Sequence, residues 1–208
     1  MRVVQLSVAL ILTAAASLAS AQTPAAPGPP QPPRPGTPPP QQLRRNIEVL
    51  TFSSSAWPDG GSIPLKHSQA GDELSPPFSW GAGPEGTVSF VLIAHDVDAA
   101  IGNGTDDILH WMLWNIPANA RGLTEGQPQG NQWPDGTRQI SASGPYFRGP
   151  GAAAAGTPHH YVFELYALDT MIDVPAVGAS PPQTRAAVTA AMAGHVRAKG
   201  VYVGLFKR

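Results

Sequence analysis

The chain has 208 residues, of which 42% are apolar, 7% aromatic and 13% charged, with 24 prolines, 22 glycines and no cysteine. Its 13 basic and 14 acidic side chains nearly balance, which argues against a nucleic-acid partner held by a basic surface. The absence of cysteine excludes disulfides, a thiolate metal site and a cysteine nucleophile. This length favours one globular domain with additional segments.

Residues 1–21 have the pattern of a secretory signal peptide. Arg2 gives a positive start, residues 3–12 are nearly all apolar, and Ala19-Ser20-Ala21 supplies small residues before a cleavage site. We therefore predict cleavage before Gln22 and a periplasmic or secreted mature protein. The apolar run is shorter than the ~20 residues of a membrane-spanning helix, so we expect no transmembrane span after cleavage.

The next segment, residues 22–42, is rich in proline. Proline lacks a backbone donor and fixes φ, so this segment is predicted to be a disordered linker rather than part of a packed domain. Residues 43–208 remain, which is long enough for one hydrophobic core.

This domain is predicted to be mainly β. Short segments with alternating apolar or β-branched residues predict strands, and turn-forming glycines and prolines separate several of them. The predicted strands are Ile47–Phe52, Thr87–His95, His110–Ile116, Tyr161–Leu168 and Val201–Phe206.

One helix is predicted near the C-terminus. Ser180 is suited to cap it, Pro181 to its first turn and Gly200 to its end, and the alanine-rich stretch from Thr184 to Lys199 lies between. The spacing predicts that the helix packs through Val188, Met192, His195 and Val196.

Polar side chains gather at three predicted strand ends. His95-Asp96-Val97-Asp98 closes one strand, His110-Trp111 opens the next after a loop spanning 99–107, and His159-His160-Tyr161 opens a third. Sites are commonly built where loops meet on one side of a sheet, so these groups are candidates for one pocket.

Residue types alone leave three chemistries open for such a pocket. Imidazole and phenol groups donate hydrogen bonds to an anion, and backbone N–H groups of the glycine-rich segment 144–156 could approach the same anion. Two histidines and an aspartate could instead bind a divalent metal, and a His–Asp pair could act in acid–base catalysis. His159 and Tyr161 share a strand face, whereas His160 faces the other way. His67 and His195 are interpreted as structural.

Several strings resemble the phosphatidylethanolamine-binding protein family, in particular the bacterial branch often called Raf kinase inhibitor-like proteins. The similarity runs in order over roughly residues 46–206. It comprises Ser75-Pro76-Pro77-Phe78-Ser79-Trp80, Asp96-Val97-Asp98-Ala99-Ala100, His110-Trp111 with Asn115-Ile116-Pro117, Arg121-Gly122-Leu123-Thr124-Glu125-Gly126, the segment from Gly149-Pro150 to His159-His160-Tyr161, and Val203-Gly204-Leu205-Phe206.

This resemblance implies a β-sandwich of two antiparallel sheets with a few flanking helices. It also implies a surface pocket for phosphate-like groups or phospholipid head groups. In the corresponding roles, His110 and Tyr161 donate to the anion, His159 completes the wall and Asp96 holds an imidazole in the donating tautomer. The resemblance adds Asp98 as support for the loop, and a pocket rim of Trp111, Phe147, Gly149 and Pro150.

The sequence departs from the family pattern at three places. Val97 and Ala100 stand where the first motif has prolines, the alanine-rich run 151–155 replaces a proline pair, and His160 replaces an arginine. These departures predict a longer second loop and an altered ligand affinity.

We accordingly predict a secreted, non-enzymatic binding protein for a small anionic or phospholipid-like ligand, without a cofactor or metal. Two alternatives remain: an acid–base hydrolase that uses the histidines and aspartates, and an interaction module or protein inhibitor that acts on a protein partner through the loop 144–158.

Overall fold

The computed structural model describes residues 47–208 as a two-sheet β-sandwich with one α-helix. The predicted signal peptide, the linker and the domain boundary at residue 43 lie outside these residues. The elements are β1 (Glu48–Val49), β2 (Phe52–Ser53), β3 (Gly61–Ser62), β4 (Phe78–Trp80), β5 (Ser89–Ile101), β6 (Asp106–Pro117), β7 (Gly122–Leu123), β8 (Arg138–Ile140), β9 (His159–Leu168), α1 (Pro181–Met192) and β10 (Val196–Phe206).

The larger sheet has the order β1-β10-β9-β5-β6-β8, and β3 also pairs with β10. The four long strands pair antiparallel, as predicted, but β1 and β3 each pair parallel with β10. The smaller sheet, β2-β4-β7, packs on one face of the larger one. The mainly β sandwich with a helix near the C-terminus is therefore confirmed, although the larger sheet is mixed rather than purely antiparallel.

Both faces of the larger sheet are covered, which explains the continuous apolar run in β5. Phe90 and Leu92 belong to the core shared with the smaller sheet, whereas Val91 and Ile93 pack on the side of α1. A strand that is buried on both faces needs apolar residues in both directions. The centre of the sheet is thus a rigid support for the polar residues at its ends.

The helix is shorter than predicted. Ser180 is the N-cap residue, as predicted, and its backbone N–H donates to Gln183 Oε1 over 3.0 Å. However, α1 ends at Met192, and Gly194 follows with a φ of 83°. Val196 pairs with Leu168 at the start of β10. The prediction of helix from residue 193 to residue 199 is wrong because strand pairing outweighs the helix propensity of the alanines.

Consequently, of the four residues predicted to form the packed face of the helix, only two do so. Val188 and Met192 are buried, whereas His195 is in the connection to β10 and pairs with Asp169, with 2.7 Å between Nδ1 and Oδ1. Val196 belongs to the strand. Within residues 47–208, no helix is both long enough and apolar enough to cross a membrane.

Candidate functional site

A cavity of about 230 Å³ lies where β5, β6 and β9 meet the segment 148–153. Of the residues predicted from the sequence, four line it. The lining is Gln69, Asp96, Ala99, Ile108, His110, Arg148, Gly151, Ala152, Ala153, His159 and Tyr161. Groups that are far apart in the sequence are thus brought together.

The hairpin that carries the site is longer than predicted. β5 continues to Ile101 and β6 begins at Asp106, so the predicted loop 99–107 is mostly strand. Asp96 and His110 therefore lie within paired strands and not at strand ends. Because both residues lie in paired strands, the site is more rigid than a site carried by a loop.

A β-bulge in β6 explains the direction of His110. Ala94 of β5 pairs with Trp111, and the next residue, His95, pairs with Leu109, so His110 is the extra residue of β6. Such a bulge interrupts the alternation of side chains and re-aims a residue. As a result His110 faces the cavity while Trp111, its neighbour, packs into the core shared by the two sheets.

The acidic wall of the cavity is Asp96, which is 3% exposed. Its Oδ2 accepts a hydrogen bond from His159 Nδ1 at 2.9 Å, and its Oδ1 accepts from the backbone N–H groups of Asp98 and Ala99 at 3.1 Å each. Asp96 therefore both orients an imidazole and fixes the strand that follows it.

Tyr161 forms the floor of the cavity. Its hydroxyl oxygen accepts from the backbone N–H groups of Gly151 and Ala152, each at 3.2 Å, and its ring meets that of His110 edge-on at 5.0 Å. Burial, together with the charge of Asp96, raises the pKa of Tyr161 to about 12. The phenol therefore keeps its proton and remains a donor.

His110 has a different hydrogen-bonding capacity from the one expected. Its Nδ1 donates to the backbone oxygen of Arg148 over 2.8 Å, and its Nε2 is buried without a hydrogen-bond partner among residues 47–208. Burial lowers the pKa of His110. In this tautomer the neutral ring has its lone pair at Nε2, so the prediction that His110 donates to an anion through Nε2 requires the protonated ring.

Among the lining residues that were not predicted from the sequence, two have polar side chains, Arg148 and Gln69. Arg148 has a buried Nε without a hydrogen-bond partner in the described part of the chain, while its Nη1 donates to Ser143 Oγ at 2.5 Å. Gln69 donates through Nε2 to the oxygen of Gly149 at 2.8 Å. The sequence did contain a signal for Arg148, because this residue directly precedes Gly149-Pro150 and a cation near the predicted polar residues is suited to binding an anion.

Five predicted residues lie outside the lining. Asp98 accepts from the backbone N–H of His160 at 2.6 Å and from its Nδ1 at 2.8 Å, contacts that lower the pKa of Asp98 and connect β5 with β9. Trp111 and Phe147 pack edge to face within the core, and Gly149 and Pro150 are buried. The predicted pocket rim is therefore wrong: Trp111 and Phe147 belong to the core, and Gly149 and Pro150 are buried outside the lining.

Gly149 has a steric role beside the cavity. A Cβ atom at this position would lie 2.6 Å from the backbone oxygen of His67 and 2.8 Å from the carbonyl carbon of Ser68. We expect Gly149→Ala to lower the free energy of unfolding by about 1–3 kcal/mol, because backbone atoms must move apart. Gly81→Ala is the control, since its Cβ would meet nothing closer than Thr51 at 3.9 Å. Equal melting temperatures for both variants would contradict this assignment.

A second polar cluster, on the opposite face of the sheet, was also missed. His95 contacts Asp107 at 2.5 Å between Nδ1 and Oδ2, and its Nε2 lies 3.5 Å from Glu164 Oε2. Arg185 of α1 binds Asp107, and Lys199 of β10 binds Glu164. A larger cavity of about 790 Å³ lies between α1 and the end of the β5–β6 hairpin, next to this cluster.

Comparisons of this chain with known proteins support the same fold. The model of the family described as phosphatidylethanolamine-binding protein matches residues 53–207. The chain belongs to this family. It is 36% identical over 161 residues to a UPF0098 protein of Methanothermobacter thermautotrophicus. The aligned residues cover 76% of this chain and 99% of that protein.

Two further family relatives extend the comparison. LppC of Mycobacterium tuberculosis, named as a candidate lipoprotein, is 31% identical over 188 residues, covering 89% of this chain and 85% of LppC. The crystal structure of YbcL from Escherichia coli superposes with a TM-score of 0.64 at 24% identity, covering 76% of this chain and 98% of YbcL. The similarity to YbcL supports the fold alone.

Proposed function

We propose that this family member is a non-enzymatic binding protein whose 230 Å³ cavity holds a small anion of phosphate type, either free or as a phospholipid head group. The observation that carries the proposal is that Arg148 lines the same cavity as His110, His159 and Tyr161, and that its buried Nε has no hydrogen-bond partner among residues 47–208. A buried N–H group without an acceptor is costly, and an anionic oxygen would satisfy it.

The remaining groups support an anion of modest size. The hydroxyl of Tyr161 keeps its proton, so it adds no negative charge to the cavity wall. The bond from His159 Nδ1 to Asp96 turns Nε2 of that ring away from the carboxylate. A cavity of this volume is smaller than a typical pocket for a drug-sized molecule, which suits a head group rather than a whole lipid.

The cellular location follows from the N-terminal sequence and remains a proposal. The signal-peptide pattern of residues 1–21 favours a periplasmic or secreted protein. The relationship to a candidate lipoprotein is compatible with export. Because residues 1–208 contain no cysteine, none of them can carry a lipid attached through a cysteine thioether.

Titration with inorganic phosphate and with phosphorylethanolamine, followed by the imidazole NMR signals of His110 and His159, tests the proposal. We expect saturable shifts of both rings. Tighter binding of phosphorylethanolamine would indicate a head-group ligand, and equal binding would indicate recognition of the phosphate alone. No saturable shift with either compound would refute the proposal, and hydrolysis of phosphorylethanolamine would favour the hydrolase alternative.

The variant Arg148→Met tests whether the guanidinium of Arg148 binds the anion. The variant removes the guanidinium but keeps the backbone bonds of residue 148 with His110. Loss of one charge-assisted hydrogen bond is worth about 1.5–3 kcal/mol, so we expect phosphate to bind about 10–100-fold more weakly. Arg121→Met is the control, because Arg121 is exposed and contacts only backbone oxygens of its own turn among the described residues. Equal affinities of the two variants would contradict the role of Arg148.

A further inference from the structure

The larger of the two cavities lies between α1 and the outer part of the β5–β6 hairpin. Its volume is about 790 Å³, within the range of about 300–1,000 Å³ that is usual for pockets that hold small molecules. Asp107 and Leu109 of β6 line this cavity, whereas Ile108 and His110 line the smaller one. Because successive side chains of a strand point to opposite faces, the two cavities lie on opposite faces of the same hairpin.

Small side chains keep the larger cavity open. Ala186 and Ala190 are four residues apart and therefore share one face of α1, and Ala142 lines the cavity as well. The helix is held on the sheet by Val188 and Met192, which pack into the core beneath it. Each alanine ends at its Cβ atom, so none of these three side chains fills the space beside the helix.

Much of the lining is apolar, and the start of the helix adds few hydrogen-bond donors to it. Ile101 and the buried Leu109 line the cavity from the hairpin. Pro181 and Pro182 line it from the first turn of α1. Proline has no N–H, so this helix start lacks two of the backbone donors that such positions otherwise present to an anion. The cavity is therefore suited to an apolar body rather than to a second anion.

One carboxylate of the lining has no cation beside it. Asp107 is neutralised by Arg185, which binds it through Nη1 and, at 3.1 Å, through Nη2. Asp106, the next residue of the same strand, is exposed and makes no ion pair with any residue of 47–208. Two carboxylates and one guanidinium give the lining a net charge of −1.

The ion cluster behind the cavity does not supply the missing cation. His95 lies between Asp107 and Glu164, and Lys199 binds Glu164. These positive groups are thus engaged with other carboxylates, which leaves Asp106 available to a ligand.

We propose that the larger cavity binds a small apolar molecule that carries one ammonium group, with its apolar body between α1 and the hairpin and its ammonium group paired with Asp106. Thr105 and Thr189 also line the cavity, and their hydroxyl oxygens can accept further hydrogens of the ammonium group. Burial of the apolar body supplies most of the affinity, and the charge of Asp106 supplies selectivity. The inference concerns a separate cavity and does not depend on the proposed function.

Calorimetric titration with three probes tests the ligand class. Phenethylamine, phenethyl alcohol and hydrocinnamate share an aromatic body and carry a positive charge, no charge and a negative charge at about pH 7. We expect the amine to bind about three- to tenfold more tightly than the alcohol, because an exposed ion pair adds only modest affinity, and the carboxylate to bind most weakly. Equal binding of amine and alcohol, tighter binding of the carboxylate, or no binding of any probe would overturn the inference.

Asp106→Asn tests the assigned counter-ion. We expect this variant to lose the preference for the amine over the alcohol and to keep its affinity for the alcohol. Asp72→Asn is the control, because it removes the same charge from an exposed residue outside the lining. A folded Asp106→Asn protein that retains the preference would contradict the role of Asp106.

Ala186→Leu tests the location of the apolar body. A leucine at this position extends into the space beside the helix, so we expect all bound probes to lose at least about fivefold in affinity. Ala187→Leu is the control, because Ala187 is an exposed residue of the same helix that does not line the cavity. Leucine is a good helix former, so both variants should fold. Equal affinities of the two variants would contradict this location.

Methyl and imidazole NMR signals of the unsubstituted protein distinguish the two cavities without a substitution. We expect phenethylamine to shift the methyl signals of Ala186 and Ala190 and to leave the imidazole signals of His110 and His159 unchanged. Shifts of the two imidazoles without shifts of the two alanines would place the amine in the smaller cavity and overturn the inference.

Discussion

Gln139→Leu should lower the free energy of unfolding by about 2–4 kcal/mol, because it leaves the buried indole N–H of Trp111 without an acceptor and removes two further hydrogen bonds of a buried amide. Gln139 is 1% exposed. Its Oε1 accepts from Trp111 Nε1 at 2.9 Å, and its Nε2 donates to the oxygens of Pro128 and Gly130 at 2.7 and 2.8 Å. Leucine has a similar volume, so the loss reports on hydrogen bonds rather than on a cavity.

Chemical denaturation of the variant measures this effect, with Gln127→Leu as the control. Gln127 donates to Thr124 near the surface, where water replaces the lost bonds. Gln139→Glu adds a second comparison, because it keeps an acceptor for Trp111 but directs a carboxylate at two carbonyl oxygens, and should therefore also destabilise. If Gln139→Leu costs no more than Gln127→Leu, the buried amide does not stabilise the fold in this way.

The second large effect is a pH-dependent loss of stability in His95→Gln. His95 of β5 lies between Asp107 of β6 and Glu164 of β9, while Arg185 and Lys199 bind those carboxylates from α1 and β10. Burial alone would lower the pKa of His95, but its interactions with Glu164 and Asp107 outweigh burial and raise it. The imidazolium thus connects three strands of the sheet and, through Arg185, the helix.

The sign of the pH dependence follows from the direction of each shift. A raised folded-state pKa means that His95 stabilises the fold fully below its unfolded value of about 6.5, and that this contribution disappears as the pH rises through the folded value. The interaction with His95 lowers the pKa of Glu164 to about 2, with burial opposing and Lys199 adding to the effect. The stabilisation by Glu164 is therefore present above about pH 4.5 and is lost as the pH falls towards 2.

Thermal and urea unfolding of the unsubstituted protein and of His95→Gln, between about pH 5 and pH 9, checks this prediction. We expect His95→Gln to cost about 2 kcal/mol near pH 5.5, less than a fully buried pair because solvent reaches the cluster, and progressively less towards pH 9. His195→Gln, which removes a half-exposed pair with Asp169, should cost less. A His95→Gln deficit that grows with pH would contradict the assigned charge of the imidazole.

The amino-acid pattern was sufficient to predict the long central strands and to select four polar residues of the cavity lining, although two of these residues lie within strands rather than at strand ends. The apolar run in β5 and the alternation of His159 and Tyr161 in β9 are local signals, because they depend only on which way successive side chains point. Alternation also correctly separated His160, which pairs with Asp98 outside the lining. These parts of the site needed no knowledge of tertiary contacts.

Other features depend on partners that are distant in the sequence. The bulge that directs His110 inwards and Trp111 into the core is set by pairing with β5, and the strand at Val196 is set by pairing with Leu168. Arg148 is held beside the cavity by backbone hydrogen bonds with His110, which is 38 residues away in the sequence. Neither propensity nor periodicity contains this information, since it arises from long-range pairing.

Adjacent residues of β5 serve opposite sides of the sheet. His95 belongs to the ion cluster under α1, and Asp96, the next residue, belongs to the cavity wall. Inserting or deleting one residue between Phe90 and Asp96 would shift the frame and send the carboxylate towards Glu164 and the imidazole towards His159. The exposed hairpin tip, residues 102–105, is free of this constraint. We therefore expect insertions and deletions in this hairpin to be tolerated only beyond the end of β5.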